Sequence, residues 1–353
     1  MKAAVIGCGS QGRGGHAANY AKMDEVELVA VCDVNFERAE SVAREFNVPH
    51  VYADYRAMLD KHPLDLVSIC TPHALHRDQT VDAFDAGANV ICEKALAVTS
   101  AEAEEMIAAC KRNGKKMSMG LQNRGRATGR ALKQFIETGG LGKIYHTRVI
   151  SGHVMNIPGY SVFHNKTLSG GGVLYSTAVH TLDLANWIIG DPTPVAAMGT
   201  IYQKVRHMKN PSISWAGTLE DFETEDFAAG YIRFEDGSGL SLESNWLTHP
   251  WKKRPSIEIL GDYGVAEIPL KIYLDEGDQV FDETPEIIEP ENGFFEVLKD
   301  FVEAVLANRT PIVRFSEMLH VQQMMEGIYR SAETGNEVRI ASPSSGTPAL
   351  KQP

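Results

Sequence analysis

Three constellations in this chain have the residue types and spacing to do chemistry. The first is Lys94, which follows the apolar run Ala88-Asn-Val-Ile-Cys92 and the acid Glu93. An ammonium at the end of a buried strand lies in a partly desolvated cleft. There it can hydrogen-bond a substrate oxygen and stabilise charge that develops on it. A surface ion pair with Glu93 is the plainer alternative. The second is His180, approached through Ser169-Gly-Gly-Gly172, with Ser176 one turn before it and Asp183 one turn after. At α-helical spacing, residues 176, 180, 183 and 187 share a face. The imidazole then has a hydroxyl and a carboxylate to orient it, and its near-neutral pKa suits exchange of an alcohol proton. The third is the turn Gly7-Cys-Gly9-Ser10-Gln11-Gly12.

That turn follows an apolar strand and opens a helix expected over 13–22. A second apolar run, 26–32, then delivers Asp33. Strand, glycine turn, helix, strand and acid, in that order, form a dinucleotide-binding unit. Gly7 permits the turn, Gly9 lets backbone approach a pyrophosphate, and Gly12 lets the helix sit close on the strand with its N–H groups aimed at phosphate. Asp33 accepts hydrogen bonds from a ribose diol and repels a 2′-phosphate, so NAD is expected over NADP. Arg38 lies in the next helix, where it can stack on adenine or neutralise a phosphate, or remain a solvated arginine. In open α/β sheets ligands bind beyond the carboxyl ends of the strands. That rule brings Thr71, Pro72, His73 and His76 to the cofactor together with Glu93 and Lys94. His73 and His76 are read as able to touch ribose or substrate, or as polar residues of a solvated helix start.

These groups need two kinds of scaffold. Up to residue 120 strands and helices alternate, which implies a parallel, doubly wound sheet. Beyond it, long alternating runs at 195–205, 226–234, 239–247, 256–260 and 265–274 imply an antiparallel sheet with hairpins, one at Glu235-Asp-Gly-Ser-Gly. Amphipathic helices are expected over 128–138, 172–189, 293–307 and 316–333. The fold class is therefore α/β: a Rossmann domain over 1–121, an α+β domain over 122–340, and a mobile tail over 341–353. The 353 residues carry a net charge of −12, which argues against nucleic acid or an anionic membrane as partner. No apolar run is long enough to span a bilayer. The first strand begins too early to leave room for a signal peptide. The five cysteines form no C-x-x-C pair and read as free thiols in a reducing cytoplasm. No metal-ligand set is read.

Taken together, Gly7-x-Gly9-x-x-Gly12, Cys32-Asp33, Thr71-Pro72…His76, Glu93-Lys94, Gln122…Arg124, Gly170-Gly-Gly172…His180-Thr-Leu-Asp183, Glu225-Asp226 and Ile328-Tyr-Arg-Ser331 resemble the Gfo/Idh/MocA oxidoreductases (glucose–fructose oxidoreductase, inositol dehydrogenase and rhizopine catabolism) over nearly the whole chain. The resemblance implies hydride transfer at a carbon of a sugar or cyclitol. It implies Lys94 and His180 as the catalytic groups, Gln122 at the cofactor, and dimers or tetramers through the open sheet. Two positions depart from the pattern. Ala95 replaces the usual proline, and Ser176 stands where an aspartate is usual, so the proton relay is left to Tyr175, Asp183 or water. Tyr175, Ser176 and Asp183 are thus read beside the substrate with His180, and Arg124 and Asn165 as candidates for sugar hydroxyls. Basic and aromatic residues at 203–220 and 251–254 are candidates to rim the pocket and select an acidic sugar, or are solvated loop charge. Redox-neutral glycoside cleavage with a recycled cofactor, and a non-catalytic dinucleotide-binding regulator, remain alternative readings.

Overall fold

The computed structural model describes residues 1–152, 162–208, 219–247, 255–290 and 292–340. The tail and the 251–254 stretch lie outside the described residues.

The first half builds β1 (Lys2–Ile6), α1 (π-helical over Gln11–Ala17, continuing as Ala18–Tyr20), β2 (Glu27–Cys32), α2 (Phe36–Phe46), β3 (His50–Tyr52), α3 (Tyr55–Lys61), β4 (Leu66–Ile69), α4 (His76–Asp85), β5 (Asn89–Cys92), α5 (Ser100–Arg112) and β6 (Met117–Met119). The helices begin where the sequence supplies caps. Asn35 and Asp54 accept backbone N–H groups at α2 and α3, and Thr99 with Glu102 makes a capping box at α5. The six strands pair in the order β3-β2-β1-β4-β5-β6, all parallel. The order reverses between β1 and β4, and a crevice opens at their carboxyl ends. Helices on both faces explain why β4 is buried at every position.

The second half adds α6 (Ala127–Glu137), β7 (Ile144–Gly152), α7 (Lys166–Ser169), α8 (π-helical over Leu174–Ala178, continuing as Val179–Ile188), β8 (Pro194–Tyr202), β9 (Phe227–Phe234), β10 (Gly239–Asn245), β11 (Ile257–Gly261), β12 (Gly264–Ile268), β13 (Lys271–Glu276), β14 (Gln279–Asp282), α9 (Gly293–Leu306), α10 (Phe315–Thr334) and β15 (Val338–Arg339). Among the described residues a nine-stranded sheet runs β14-β13-β12-β11-β7-β10-β9-β8-β15. It is antiparallel except where β7 lies parallel to β10. The run expected as one strand over 265–274 is two, β12 and β13, paired as a hairpin. One face of the sheet is covered by α8 and α10, whose Leu182, Ile188, Met324 and Ile328 share a core with Trp246, Ile232 and Leu242. The C-terminal helices also reach back. Phe294, Leu298 and Phe301 of α9 join Val5, Val31 and Ile91 in one Rossmann core, and Met318 of α10 joins the other. The two sheets are thereby held so that the crevice of the first faces α8 of the second. No helix among the described residues is long and apolar enough to cross a membrane.

Candidate active site

Between the sheets lies a cavity of about 1220 Å³. Gly7, Gly9, Ser10, Gln11, Asp33, Arg38, Thr71, Pro72, His73, Glu93, Lys94 and Gln122 all line it, as do Ser176 and His180 from the other side.

At its first end the glycines do what their spacing requires. Gly7 has φ +92°, and a Cβ on Gly12 would lie 1.8 Å from the Gly7 carbonyl oxygen. Only glycine lets α1 start there. Gly12 does not line the cavity; it acts by this close packing. Asp33 is held by two backbone donors, Cys8 N at 2.8 Å and Asn35 N at 2.8 Å, with the half-exposed Arg38 guanidinium 3.4 Å away. Asp33 also lines the cavity. This cradle fits the adenosine and pyrophosphate portions of a dinucleotide.

At the second end the Lys94 ammonium donates to the Ser176 carbonyl oxygen at 2.9 Å and lies 5.8 Å from the Phe163 ring centroid. Burial lowers its pKa, against the charge of Glu93, which raises it. His180 opens on the same space, flanked by Ser176, Thr177 and Thr181. Trp246 donates to the Thr177 hydroxyl at 2.8 Å, and Thr181 lies 3.2 Å from the Ser151 hydroxyl. Behind this wall the buried Glu225 carboxylate accepts from Gly172 N, Leu174 N and Tyr329 OH, pinning the glycine run that leads into α8.

Several residues expected at the site lie elsewhere. Arg124 is fully buried, bonded to Asp183 at 3.0 and 2.5 Å and also to Glu317. Neither Arg124 nor Asp183 lines the cavity, and both Asp183 oxygens are taken by Arg124. The physical reason is charge pairing in the core: the buried Arg124 guanidinium engages both Asp183 oxygens and the Glu317 carboxylate, so these groups satisfy one another. Tyr175 is buried, with its hydroxyl donating to Val98 O and accepting from Gln322. Asn165 caps α7 through Leu168 N. His76 is buried behind the wall, its ring nitrogens 2.9 Å from Ala95 O and 2.8 Å from Thr71 O, so it braces the loops after β4 and β5. His73 lines the cavity, but its Nδ1 is committed to Ser169 O at 2.7 Å. Burial, with the neighbouring His76 and Lys94 charges, lowers its pKa to about 3, so it stays neutral.

Sequence patterns did not single out Thr177, Thr181, Ser151 and Asn123, which also line the cavity. The i, i+4 spacing of Thr177 and Thr181, each one residue after a candidate, was the available signal.

Two family models match the chain: the GFO/IDH/MocA oxidoreductase family, NAD-binding Rossmann fold, over residues 1–121, and the GFO/IDH/MocA C-terminal domain over residues 130–267. D-glucoside 3-dehydrogenase of Escherichia coli (strain K12) is 29% identical over 342 residues, covering 96% of this chain and 97% of that protein. Inositol 2-dehydrogenase of Salmonella typhimurium is 29% identical over 273 residues, covering 76% and 74%. The crystal structure of aldose-aldose oxidoreductase from Caulobacter crescentus is similar with a TM-score of 0.79 at 25% identity, covering 96% of this chain and 99% of that one.

Proposed function

The chain belongs to the GFO/IDH/MocA oxidoreductase family, and from that premise we propose that it is an NAD-dependent dehydrogenase that interconverts CH–OH and C=O at a carbon of a sugar or cyclitol. One observation carries the reading: Lys94 from the Rossmann half and His180 from the other half open onto one cavity, whose far end holds the glycine turn and Asp33. The glycine turn, Asp33, Thr71 and Gln122 hold the dinucleotide. When bound, it supplies the acceptor for the C–H hydrogen and its electron pair. Lys94 donates a hydrogen bond to the reacting oxygen and stabilises the negative charge that gathers there. His180 takes the hydroxyl proton in oxidation and returns it in reduction. Ser176 serves by its backbone, as the seat of the ammonium, and not as an acid or base. The hydroxyls of Ser151, Thr177 and Thr181 suit a polyol.

The outward face of the large sheet carries Met198 paired with Tyr231, and Tyr231 stacks on His146. Two exposed large apolar side chains side by side on an open sheet support its use as a contact between copies of the chain. Static light scattering tests this: a Met198→Glu, Tyr231→Glu double variant is expected to run at lower mass than wild type. An unchanged mass removes this face from the assembly.

The reaction is tested by a screen of NAD-linked absorbance change against sugars, uronates and inositols, repeated with Lys94→Ala. The variant is expected to lose turnover by about 10³-fold while its NADH affinity stays near wild type. A fully active variant takes Lys94 out of the mechanism.

A further inference from the structure

His16 lies on α1 and does not line the cavity, yet its contacts lead there. It is fully buried, with Nδ1 2.9 Å from the Ser68 hydroxyl on β4 and Nε2 3.1 Å from Glu93 Oε1. The Tyr20 hydroxyl lies 2.7 Å from the same Ser68 oxygen. An ionised carboxylate only accepts, so Nε2 donates to Glu93, while Nδ1 and the Tyr20 hydroxyl share the Ser68 oxygen. Both ring nitrogens are thereby engaged in one buried network that runs from Tyr20 through Ser68 and His16 to Glu93, and such networks hold their members in place in a low-dielectric interior.

The chain of bonds ends on a cavity residue. Glu93 lines the cavity, and its second oxygen accepts from Lys94 N at 3.3 Å. Space for the carboxylate is made by Gly120, where a Cβ would lie 2.6 Å from Glu93 Oε1. His16 lies within the π-helical turn of α1, and Phe294 of α9 closes over the ring at 5.1 Å.

We propose that His16 is a positioning residue: it fixes the Glu93 carboxylate in the cavity wall, and through it the electrostatic seat of the Lys94 ammonium. The proposal rests on the reading of Lys94 as the group that polarises the substrate oxygen. The titratable neighbours of this corner are His76, Cys70 and Cys92 around Glu93, and His73 beside Lys94, with His180 across the cavity. Glu93 is the group that opposes the burial of Lys94. If its carboxylate swings away, the ammonium loses its proton at a lower pH.

The test compares His16→Asn, whose amide replaces Nδ1 and abandons Glu93, with His16→Gln, whose amide replaces Nε2 and keeps that bond. The first readout is the pH dependence of Lys94 acylation, followed by mass spectrometry, which requires no turnover. In His16→Asn the midpoint is expected to fall by roughly one unit, and in His16→Gln to return to the wild-type value. The second readout is the alkaline limb of kcat/KM, which is expected to move with it. Glu93→Gln serves if the asparagine variant does not fold, and is expected to lower the midpoint likewise. If the midpoint stays at the wild-type value in His16→Asn and Glu93→Gln, with only the melting temperature reduced, His16 is a core histidine and the proposal fails. An acylation shift without a kcat/KM shift keeps the positioning role and instead overturns the reading of Lys94.

Discussion

Asp33→Ser separates the two nicotinamide cofactors, and the structure sets the size of the effect. Asp33 is almost fully buried at the adenosine end of the cavity, and both its oxygens are held by backbone N–H groups. A 2′-phosphate brought to about 4 Å would meet repulsion of about 4 kcal/mol per charge pair at an effective dielectric of 20. Arg38 offsets part of this, but its side chain is half exposed and its contribution is screened. About 2 kcal/mol of net discrimination against NADPH is left. For NADH, losing a hydrogen bond to a charged acceptor costs about 1.5–3 kcal/mol. The serine also leaves Cys8 N and Asn35 N less well satisfied, but that loss falls on both cofactors. The ratio of dissociation constants is therefore the clean readout. It is expected to move toward NADPH by about 4 kcal/mol, or roughly a thousandfold. Fluorescence titration with NADH and NADPH measures it without knowledge of the substrate. A ratio that does not change refutes the argument, because it means Asp33 does not face the ribose.

Two further variants test the rest of the cavity. His180→Asn is expected to reduce kcat by roughly 10²- to 10⁴-fold and to abolish the acid limb of the kcat/KM profile, read by stopped-flow absorbance; a retained acid limb assigns the proton to another group. Arg124→Met strands the Asp183 and Glu317 carboxylates, both buried, and is expected to lower unfolding stability by about 3–5 kcal/mol in urea titration. Unchanged stability with weakened substrate binding would return Arg124 to the site.

The cofactor end of the site was legible in the sequence because its determinants are local. A glycine turn between an apolar strand and a helix, with an acid after the next strand, fixes geometry within one βαβ unit. The observed strand order then puts that unit at the reversal point. Lys94 was legible for the same reason, since the end of a parallel strand faces the crevice wherever the strand lies. The substrate end was less so. Asp183 and Arg124 find each other from distant positions, and no local pattern announces a buried ion pair of that kind. α8 opens with a π-helical turn, and Ser176, Thr177 and Ala178 have no composition that distinguishes i→i+5 from i→i+4 bonding. Asn165 has the chemistry of a sugar contact and equally that of an N-cap, and the four-residue α7 takes it as the latter.

Two π-helical turns, at the start of α1 and the start of α8, face the cavity from opposite halves of the molecule. Each shifts the residues behind it off the α-helical register. His16 lies within the first and meets Glu93; beyond the second, His180 lines the cavity while Asp183 pairs with Arg124 in the core. Wider winding is less favourable than α-helix, so it persists where surrounding contacts over-determine it. Those contacts are present at both ends: Gly12 packed on the Gly7 carbonyl holds α1, and Glu225 accepting Gly172 N and Leu174 N holds α8. Glu225 itself accepts from Tyr329 of α10, and α10 also ties into the Rossmann half where Ser100 N donates to Glu326 at 2.6 Å. The same long helix thus sets the register of α8 and fixes it against the sheet that carries Lys94. That coupling explains how two side chains from separate halves of the chain come to open on one cavity.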